Sequence, residues 1–497
     1  MEGEWMSMNR LTGEQVHRAA GVMLAMAAGD ALGAPYEFGA ALPATADVGM
    51  IGGGSFGWEP GEWTDDTQMA LVIAQAALSG ADLRDPEVLD RVAGDWYEWS
   101  VEANDVGVQT RSVLCAASTA AGGGRPSSAH LQAASEARHQ QFGKSAGNGS
   151  LMRTAPVALA YLQDRSGLAE AATQLSSLTH YDPEAGEACV LWCMAIRHAV
   201  LTGELDVRIG LDQLAPNRAD VWSERIATAE VSQPADFTRN GWVVQALQAA
   251  WSAIANTRDQ GRFPADHLRL ALEAAVRSGN DTDTVAAIAG GLLGAAYGAS
   301  SVPATWRRVL HGWPGLRSRD LVALGVLIAR KGEVDAHGWP TVETLDYTSW
   351  GYIDDLARHP HDDGVWLGGV GTLSHLPDDV DAVVSLCRLG SSEVPARGIE
   401  PENHVEVWLV DVTDPSHNPH LDFVFADTAD IIAEMRAEGR TVLVHCVQAQ
   451  SRTPSLGAAH SMRVTGIDAD KAIDEVCGVL AAGNPNEAFR QALHRFQ

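Results

Sequence analysis

Positive charge is scarce in this chain. Lys and Arg number 35 against 64 Asp and Glu in 497 residues, a formal net charge of −29. That balance argues against a nucleic-acid partner, because a surface that follows a phosphate backbone carries the opposite sign. It suits divalent cations well. Cysteine is scarce too: the six (115, 189, 193, 387, 446 and 477) are scattered and form no CxxC pair. Cys189 and Cys193, at i and i+4 of a helical stretch without paired ligands nearby, read as a core pair rather than a metal site. A small buried hydrophobe in a reducing compartment is the default for the others. Long apolar runs are missing as well. The longest uncharged one, "VAAIAGGLLGAAYGASSV" at 285–302, is rich in Gly and Ala and reads as a tightly packed buried helix, not a membrane span. The first ten residues, "MEGEWMSMNR", have no apolar core and so do not read as a signal peptide. A cytoplasmic protein with no membrane partner is expected.

What is present divides into two textures. At ~150 residues per domain the length allows two or three domains, and 46% hydrophobic with 20% charged residues describes a folded chain. From Leu11 to about Lys331 the apolar spacing is helical. "LTGEQVHRAAGVMLAMAAGD" opens with Thr12 and Gln15 in capping-box spacing, and Val16, Ala19, Ala20, Met23, Leu24 and Ala27 follow on one face. Similar patterns recur at 66–80, 86–100, 105–120, 155–175, 183–202, 240–255, 264–277 and 283–298, with no convincing strand and no fixed repeat. Beyond "IARKGEVDAHGWPTVETL" short β-branched runs appear: "VWLGGV", "DAVVSLC", "VEVWLVDV" and "TVLVHC". Helical patterns at 423–438, 453–465, 468–481 and 486–497 accompany them, which suggests an α/β unit on a largely parallel sheet. The expected fold class is therefore multidomain: an all-α N-terminal domain over 11–331, a linker at 332–345 and an α/β domain over 346–497.

Three stretches of the helical half are hard to explain as core. "GDALGAPYE" (29–37) carries Asp30 and Glu37 among small residues; "EWTDDTQMA" (62–70) packs Thr64, Asp65 and Asp66 before an apolar helix; "SGNDTDTVAAIAGG" (278–291) does the same with Asp281, Asp283 and Thr284. One acidic helix start is usually a cap that complements the helix dipole. Two clusters of a Thr with two Asp, about 215 positions apart, permit a shared site. Together they offer six hard oxygen ligands with Glu37 nearby, chemistry for Mg²⁺, or Mn²⁺ in its place, and for a close pair of ions.

These residues resemble the ADP-ribosylglycohydrolases, including the dinitrogenase-reductase-activating glycohydrolase. The resemblance covers most of 14–315 and rests on "GDALGAPYE", "WTDDTQMA", "DVGVQT", "GNGSLMRTAP", "LTHYDPEA", "GWVVQALQAAWSAI" and "GNDTDTVAAIAGGLLGAAYG", in that order. It implies an all-α fold with a two-magnesium centre that cleaves ADP-ribose from an acceptor. It implies Thr64, Asp65, Asp66, Asp281, Asp283 and Thr284 as metal ligands and Glu37 as a candidate base or gate. Asp105 would line the ribose pocket. Gly147, Asn148, Gly149, Ser150, Met152 and Arg153, within "GNGSLMR", would wrap the diphosphate, and His180 would touch the substrate from the side. The substrate implied is an ADP-ribosylated protein or an ADP-ribose-containing small molecule, the acceptor (arginine, serine or other) left open; O-linked ADP-ribose, ADP-ribosyl nucleic acid and a free ADP-ribosyl metabolite are runners-up.

In "TVLVHCVQAQSRTPS" (441–455), Cys446 ends a strand, a loop closes on Arg452, and a helix follows. A helix N-terminus and a nearby cation lower a thiol's pKa. The loop amides would cradle a phosphate while Arg452 grips two of its oxygens. That is the construction of a cofactor-free phosphatase whose nucleophile is cysteine. The spacing resembles the dual-specificity and tyrosine phosphatases over about 360–497. By that resemblance Asp414, 32 positions before Cys446, is the general acid with Asp411 second, and Thr453 assists release of the thiolate; His445 is a structural hydrogen-bonder. Where the family usually has glycine this chain has Ala449, which strains the loop if the position needs φ > 0. The reading is a bifunctional enzyme acting on ADP-ribosylated and phosphorylated substrates. The alternatives are an inert phosphate-binding second domain, or two domains that process one phosphorylated ADP-ribose-type metabolite.

Overall fold

The computed structural model describes residues 11–496; the N-terminal stretch read above for a signal sequence lies outside them. The chain divides into two compact units. One comprises Met1–Arg262, Asp266–Val302 and Leu310–Glu333; the other comprises Phe263–Ala265, Pro303–Val309 and Val334–Gln497.

The first unit is helical. Its opening helix, Gly13–Gly33, starts at a capping box in which Thr12 and Gln15 satisfy each other's backbone N–H. The sequence suggests one apolar face, but every residue from Val16 to Gly33 is buried. The reason is a close antiparallel crossing with the helix Thr282–Tyr297. A Cβ on Gly294 would lie 2.1 Å from the Gly21 carbonyl oxygen, one on Gly290 2.1 Å from that of Ala25, and one on Gly29 2.2 Å from that of Ala286. Only glycine lets two backbones touch in this way. The crossing brings the C-terminal end of the first helix against the N-terminal end of the second, so that Gly33 abuts the Asp283 backbone.

Three α-helices described in this unit escape the sequence reading: Ser128–Phe142, Pro216–Val231 and Ser318–Ala329. Ser128–Phe142 buries only Leu131 and Ser135, and Pro216–Val231 only Trp222, Ile226 and Ala229, so neither carries a broad apolar stripe. The stretch read as one helix at 155–175 is two, Ala155–Ala160 and Arg165–Ser177. Asp164 caps the second through the Gly167 N–H. A two-residue antiparallel ladder, His311–Gly312 with Leu316–Arg317, lies where no strand is expected.

The second unit is built on a five-stranded sheet. Its spatial order is Leu356–His359, Asp362–Gly368, Val442–His445, Ala382–Ser385, His404–Glu406. The first pair is antiparallel and the rest are parallel. The register sets Gly368 and Ser385 on either side of His445. Helices Leu421–Ala437, Arg452–Thr465, Ala469–Cys477 and Glu487–Arg495 accompany it, and apolar residues such as Val444, Phe425, Ile432 and Phe489 form the core. The run "VEVWLVDV" yields only a three-residue strand, His404–Glu406. Beyond it the Asn418 side chain takes both main-chain bonds of Val410 (2.9 and 2.8 Å), occupying the place of a neighbouring strand. Among the described residues, no helix is long and apolar enough to cross a membrane.

Candidate active sites

In the first unit two helix N-termini meet. Thr64 stands immediately before the helix Asp65–Ala77, and Asp281 immediately before Thr282–Tyr297. The Thr64 hydroxyl lies 3.5 Å from Asp66 Oδ2 and 3.5 Å from Asp283 Oδ2, and the Thr284 hydroxyl lies 3.3 Å from Asp66 Oδ2. Carboxylate oxygens of Glu37, Asp281 and Asp283 fall within 4.8 Å of one another. Residues separated by more than two hundred positions thus share one pocket, whose helix dipoles favour negative charge. Asp30 supports it from below. Its carboxylate accepts from the Thr64 and Thr67 N–H groups (2.9 and 3.0 Å) and from the Thr67 hydroxyl (2.6 Å). Asn148 donates to Asp281 Oδ2 (2.8 Å), and Asn240 Oδ1 accepts the Asp281 N–H (3.1 Å).

Positive charge offsets the pocket only in part: Arg111 lowers the Asp105 pKa and Arg153 feels the charge of Asp65, yet both carboxylates remain raised. Burial, reinforced by the charges of Asp281, Asp105 and Asp30, pushes Glu37 up to about 8. Burial raises Asp105 to about 6, and it raises Asp65, Asp66 and Asp283 well above the usual carboxylate range, with their neighbours' charges adding. Asp66 Oδ1 and Glu37 Oε2 are buried, and neither meets a hydrogen-bond partner among the described residues. Buried polar atoms are rarely left so. Hard oxygens without a partner, on groups that resist ionisation together, fit a site for divalent cations.

Beside it runs the loop at 147–150. Cβ atoms on Gly147 and Gly149 would lie 3.2 and 3.1 Å from the His180 ring, so the glycines let the backbone lie against it. Arg153 donates to the Thr179 hydroxyl (2.6 Å), which is also hydrogen-bonded to His180 Nδ1 (2.8 Å). His180 turns Nε2 toward the loop, and burial keeps its pKa well below normal.

In the second unit Cys446 follows the buried central strand and is 2% exposed. The Gly368 carbonyl accepts the Cys446 N–H (3.4 Å) and the Thr453 hydroxyl (3.1 Å). Arg452, first residue of its helix, donates to the Leu386 and Leu409 carbonyls (2.7 and 3.2 Å), with Nε 3.7 Å from Asp411. A directional chain steadies the loop. His404 Nδ1 accepts from the Ala396 N–H (2.9 Å), so His404 Nε2–H donates to Ser385 Oγ (2.7 Å), and Ser385 to His445 Nε2 (2.6 Å). His445 Nδ1–H is then turned toward the Cys446 carbonyl (3.4 Å). Burial holds His445 neutral, its pKa down to about 4. Ala449 has φ of +52°, the left-handed region, and its methyl lies in the apolar core.

The family model of the ADP-ribosylglycohydrolases matches residues 12–335. The chain belongs to that family. A second model, the catalytic domain of dual specificity phosphatases, matches residues 381–497, and the C-terminal part is a domain of that kind. Both are hydrolase families. The ADP-ribosylglycohydrolase part is 31% identical to ADP-ribosylarginine hydrolase Tri1 of Pseudomonas putida (strain GB-1) over 307 residues, 60% of this chain and 75% of the relative. It is 28% identical to the ADP-ribosyl-[dinitrogen reductase] glycohydrolase of Rhodospirillum rubrum over 302 residues, 60% and 91% of the two chains. The phosphatase part is 26% identical to dual specificity protein phosphatase 1 of Arabidopsis thaliana over 142 residues, 29% and 70%.

Within the ADP-ribosylglycohydrolase domain, Thr64, Asp65, Asp66, Asp281, Asp283, Thr284 and Glu37 come together, with half-buried Asp105 close enough to raise the pKa values of Glu37 and Asp65. Arg153 does not join them. Its guanidinium stacks 3.9 Å over Trp96, is 1% exposed and serves Thr179 and Met69. Ser150 is buried and accepts from Ser176 (2.9 Å), and Met152 lies in the core with its sulfur 3.9 Å from the Thr284 hydroxyl. In the phosphatase domain, Thr453 spends its hydroxyl proton on Gly368 rather than on the thiol. Asp414 is exposed; hydrogen bonds from Ser416 hold its carboxyl below the usual range. Asp411, by contrast, faces Arg452 and accepts from Asn486 (2.9 Å). Sequence reasoning assigned no role to Asp30, Asn240, Ser385 or His404. Asp30 sits in a quoted motif, but the other three carry no local signal because their partners are distant in the chain.

Proposed function

We propose that the first unit hydrolyses the N-glycosidic bond between ADP-ribose and a protein arginine, using a pair of divalent cations, Mg²⁺ or Mn²⁺. The observation that carries this reading is the convergence of Thr64, Asp65 and Asp66 with Asp281, Asp283 and Thr284, which leaves Asp66 Oδ1 and Glu37 Oε2 buried without partners. Those six residues would hold the ions; when bound, the ions would fix ribose hydroxyls and acidify a water. The chain's own groups do the rest. Asp105 and the cluster's carboxylates offset the positive charge that grows on the sugar as the C1″ bond breaks. Glu37 is the candidate acceptor of the attacking water's proton. Gly147 and Gly149 bring backbone close to the diphosphate, with Asn148 orienting Asp281. The arginine acceptor is inferred from the name of the Pseudomonas putida relative and from the fit of a guanidinium cation to an acidic pocket.

We infer that the second unit hydrolyses phosphate monoesters through Cys446. The sulfur attacks phosphorus, the P–O bond breaks, Arg452 holds the phosphoryl oxygens, and Asp414 (or Asp411, which faces Arg452) protonates the leaving alcohol. Water then cleaves the S–P bond, returning a proton to that aspartate, releasing phosphate and freeing Cys446. A second reading, a module that holds phosphate without turnover, requires that the positive φ at Ala449 distort the loop.

The test is parallel assay of the full chain. EDTA, Asp65→Ala and Asp283→Ala should each abolish ADP-ribose release and leave phosphate release intact; Cys446→Ser should do the reverse. ADP-ribose release that survives EDTA, or phosphate release that survives Cys446→Ser, overturns the corresponding half.

A further inference from the structure

The segment after Glu37 carries an aromatic cluster that the hydrolytic reading does not use. Phe38 is 66% exposed and meets Phe56 edge-on, ring centroids 6.4 Å apart; Phe56, itself 37% exposed, meets Trp58 at 6.1 Å. Phe38 also stands in the left-handed region, φ +62°. Its backbone is pinned there: the Phe38 N–H donates to the Asn280 carbonyl (2.6 Å), and the Asn280 N–H to the Gly39 carbonyl (2.8 Å). Asn280 shares the strained region, φ +60°, where Asn is at home and a bulky side chain is not. The two strained residues flank the acidic pocket directly, Phe38 after Glu37 and Asn280 before Asp281. A glycine would meet the backbone requirement at position 38 at less cost. What the phenyl ring adds is a water-exposed π face beside carboxylates.

We propose that Phe38, backed by Phe56, is the acceptor platform of the first unit: a surface that seats the guanidinium of the ADP-ribosylated arginine by cation–π contact while the ribose lies in the acidic pocket. This rests on the arginine reading above. Charge complementarity selects the occupant. A ring whose face is electron-rich, one residue after Glu37 and tied through its backbone to Asn280, the neighbour of Asp281, attracts a cation and gives nothing comparable to a neutral serine side chain. Phe38 is thus a specificity-determining residue and not part of the bond-breaking machinery.

The test is steady-state kinetics of the full chain, Mg²⁺-loaded, on matched peptides carrying arginine- or serine-linked ADP-ribose, with calorimetric binding of free ADP-ribose alongside. Phe38→Ala and Phe38→Gly should raise KM for the arginine-linked peptide about three- to tenfold with kcat held, and Phe38→Tyr should restore it. Affinity for free ADP-ribose, which has no acceptor, should stay within twofold. Phe38→Gly relieves the backbone, so its agreement with Phe38→Ala separates loss of the ring from loss of the fold. An unchanged KM, an equal rise with the serine-linked peptide, or a matching fall in ADP-ribose affinity overturns the proposal. A wild-type chain that binds ADP-ribose but releases it from neither peptide overturns the hydrolase reading and the platform with it.

Discussion

Ala449 shows how two small effects decide a residue's meaning. An L-residue in the left-handed region costs roughly 1–2 kcal/mol, while its buried methyl returns about 0.8 kcal/mol. Glycine there would also lose about 0.4–1 kcal/mol through the freedom of the unfolded chain. These nearly cancel. The methyl is fully buried among apolar residues. Ala449→Gly should therefore change unfolding free energy by less than about 1 kcal/mol and phosphate-monoester turnover by less than about threefold, as denaturant melts and p-nitrophenyl phosphate assays would register. A tenfold gain in turnover would instead mean that alanine cripples the loop. The sequence marked this position because one residue's departure from a spacing is visible. It did not reveal the Ser385–His404–His445 chain, whose members come from three strands paired only in the folded sheet. Nor did it reveal that Arg153 turns inward onto Trp96. A motif names an arginine but not the direction of its side chain.

The element that matters most is the crossing of Gly13–Gly33 with Thr282–Tyr297, because it aligns Asp30 and Glu37 with Asp281 and Asp283. Its glycines differ sharply in what they tolerate. A Cβ at Gly290 would meet the Ala25 carbonyl oxygen at 2.1 Å, whereas at Gly291 the nearest atom is the Ala155 methyl at 3.2 Å. Gly290→Ala should cost more than about 3 kcal/mol and most of the ADP-ribose-releasing activity, since backbone must separate from backbone, while Gly291→Ala should cost less than about 1 kcal/mol. Thermal melts and activity of the pair check this; equal effects would mean that the crossing does not set the pocket. Most helices were legible from a sustained apolar pattern; Ser128–Phe142 and Pro216–Val231 were missed because the buried face is only two or three residues wide, and the short Ser318–Ala329 was missed although it buries five residues. Strands were legible as β-branched runs, yet the run at 405–412 shortened once the Asn418 side chain supplied the bonds. The antiparallel edge strand Leu356–His359 has no such run to announce it.

At the scale of the molecule, the chain joins an ADP-ribosylglycohydrolase domain to a dual-specificity-phosphatase-type domain, and the two should respond differently to their surroundings. In the second unit burial depresses His359 and His445 to about 4, below the ~6.5 of an unfolded chain. The unfolded state then binds more protons, so stability is complete above pH 6.5 and declines as pH falls toward 4. From pH 6.5 to 5.5 the loss should be about 1 kcal/mol for each histidine, visible in urea melts followed by phosphatase activity; stability that rises over that interval would refute the neutral assignment. The first unit depends on something else. Its carboxylates were legible as two separate clusters, and only folding puts them in one pocket. Calorimetric titration of Mn²⁺ into the EDTA-stripped chain tests that most directly. Two ions should bind per chain, and Asp66→Asn and Asp283→Asn, 217 positions apart in sequence, should each weaken the same binding. No binding, or full binding in either variant, would contradict the account.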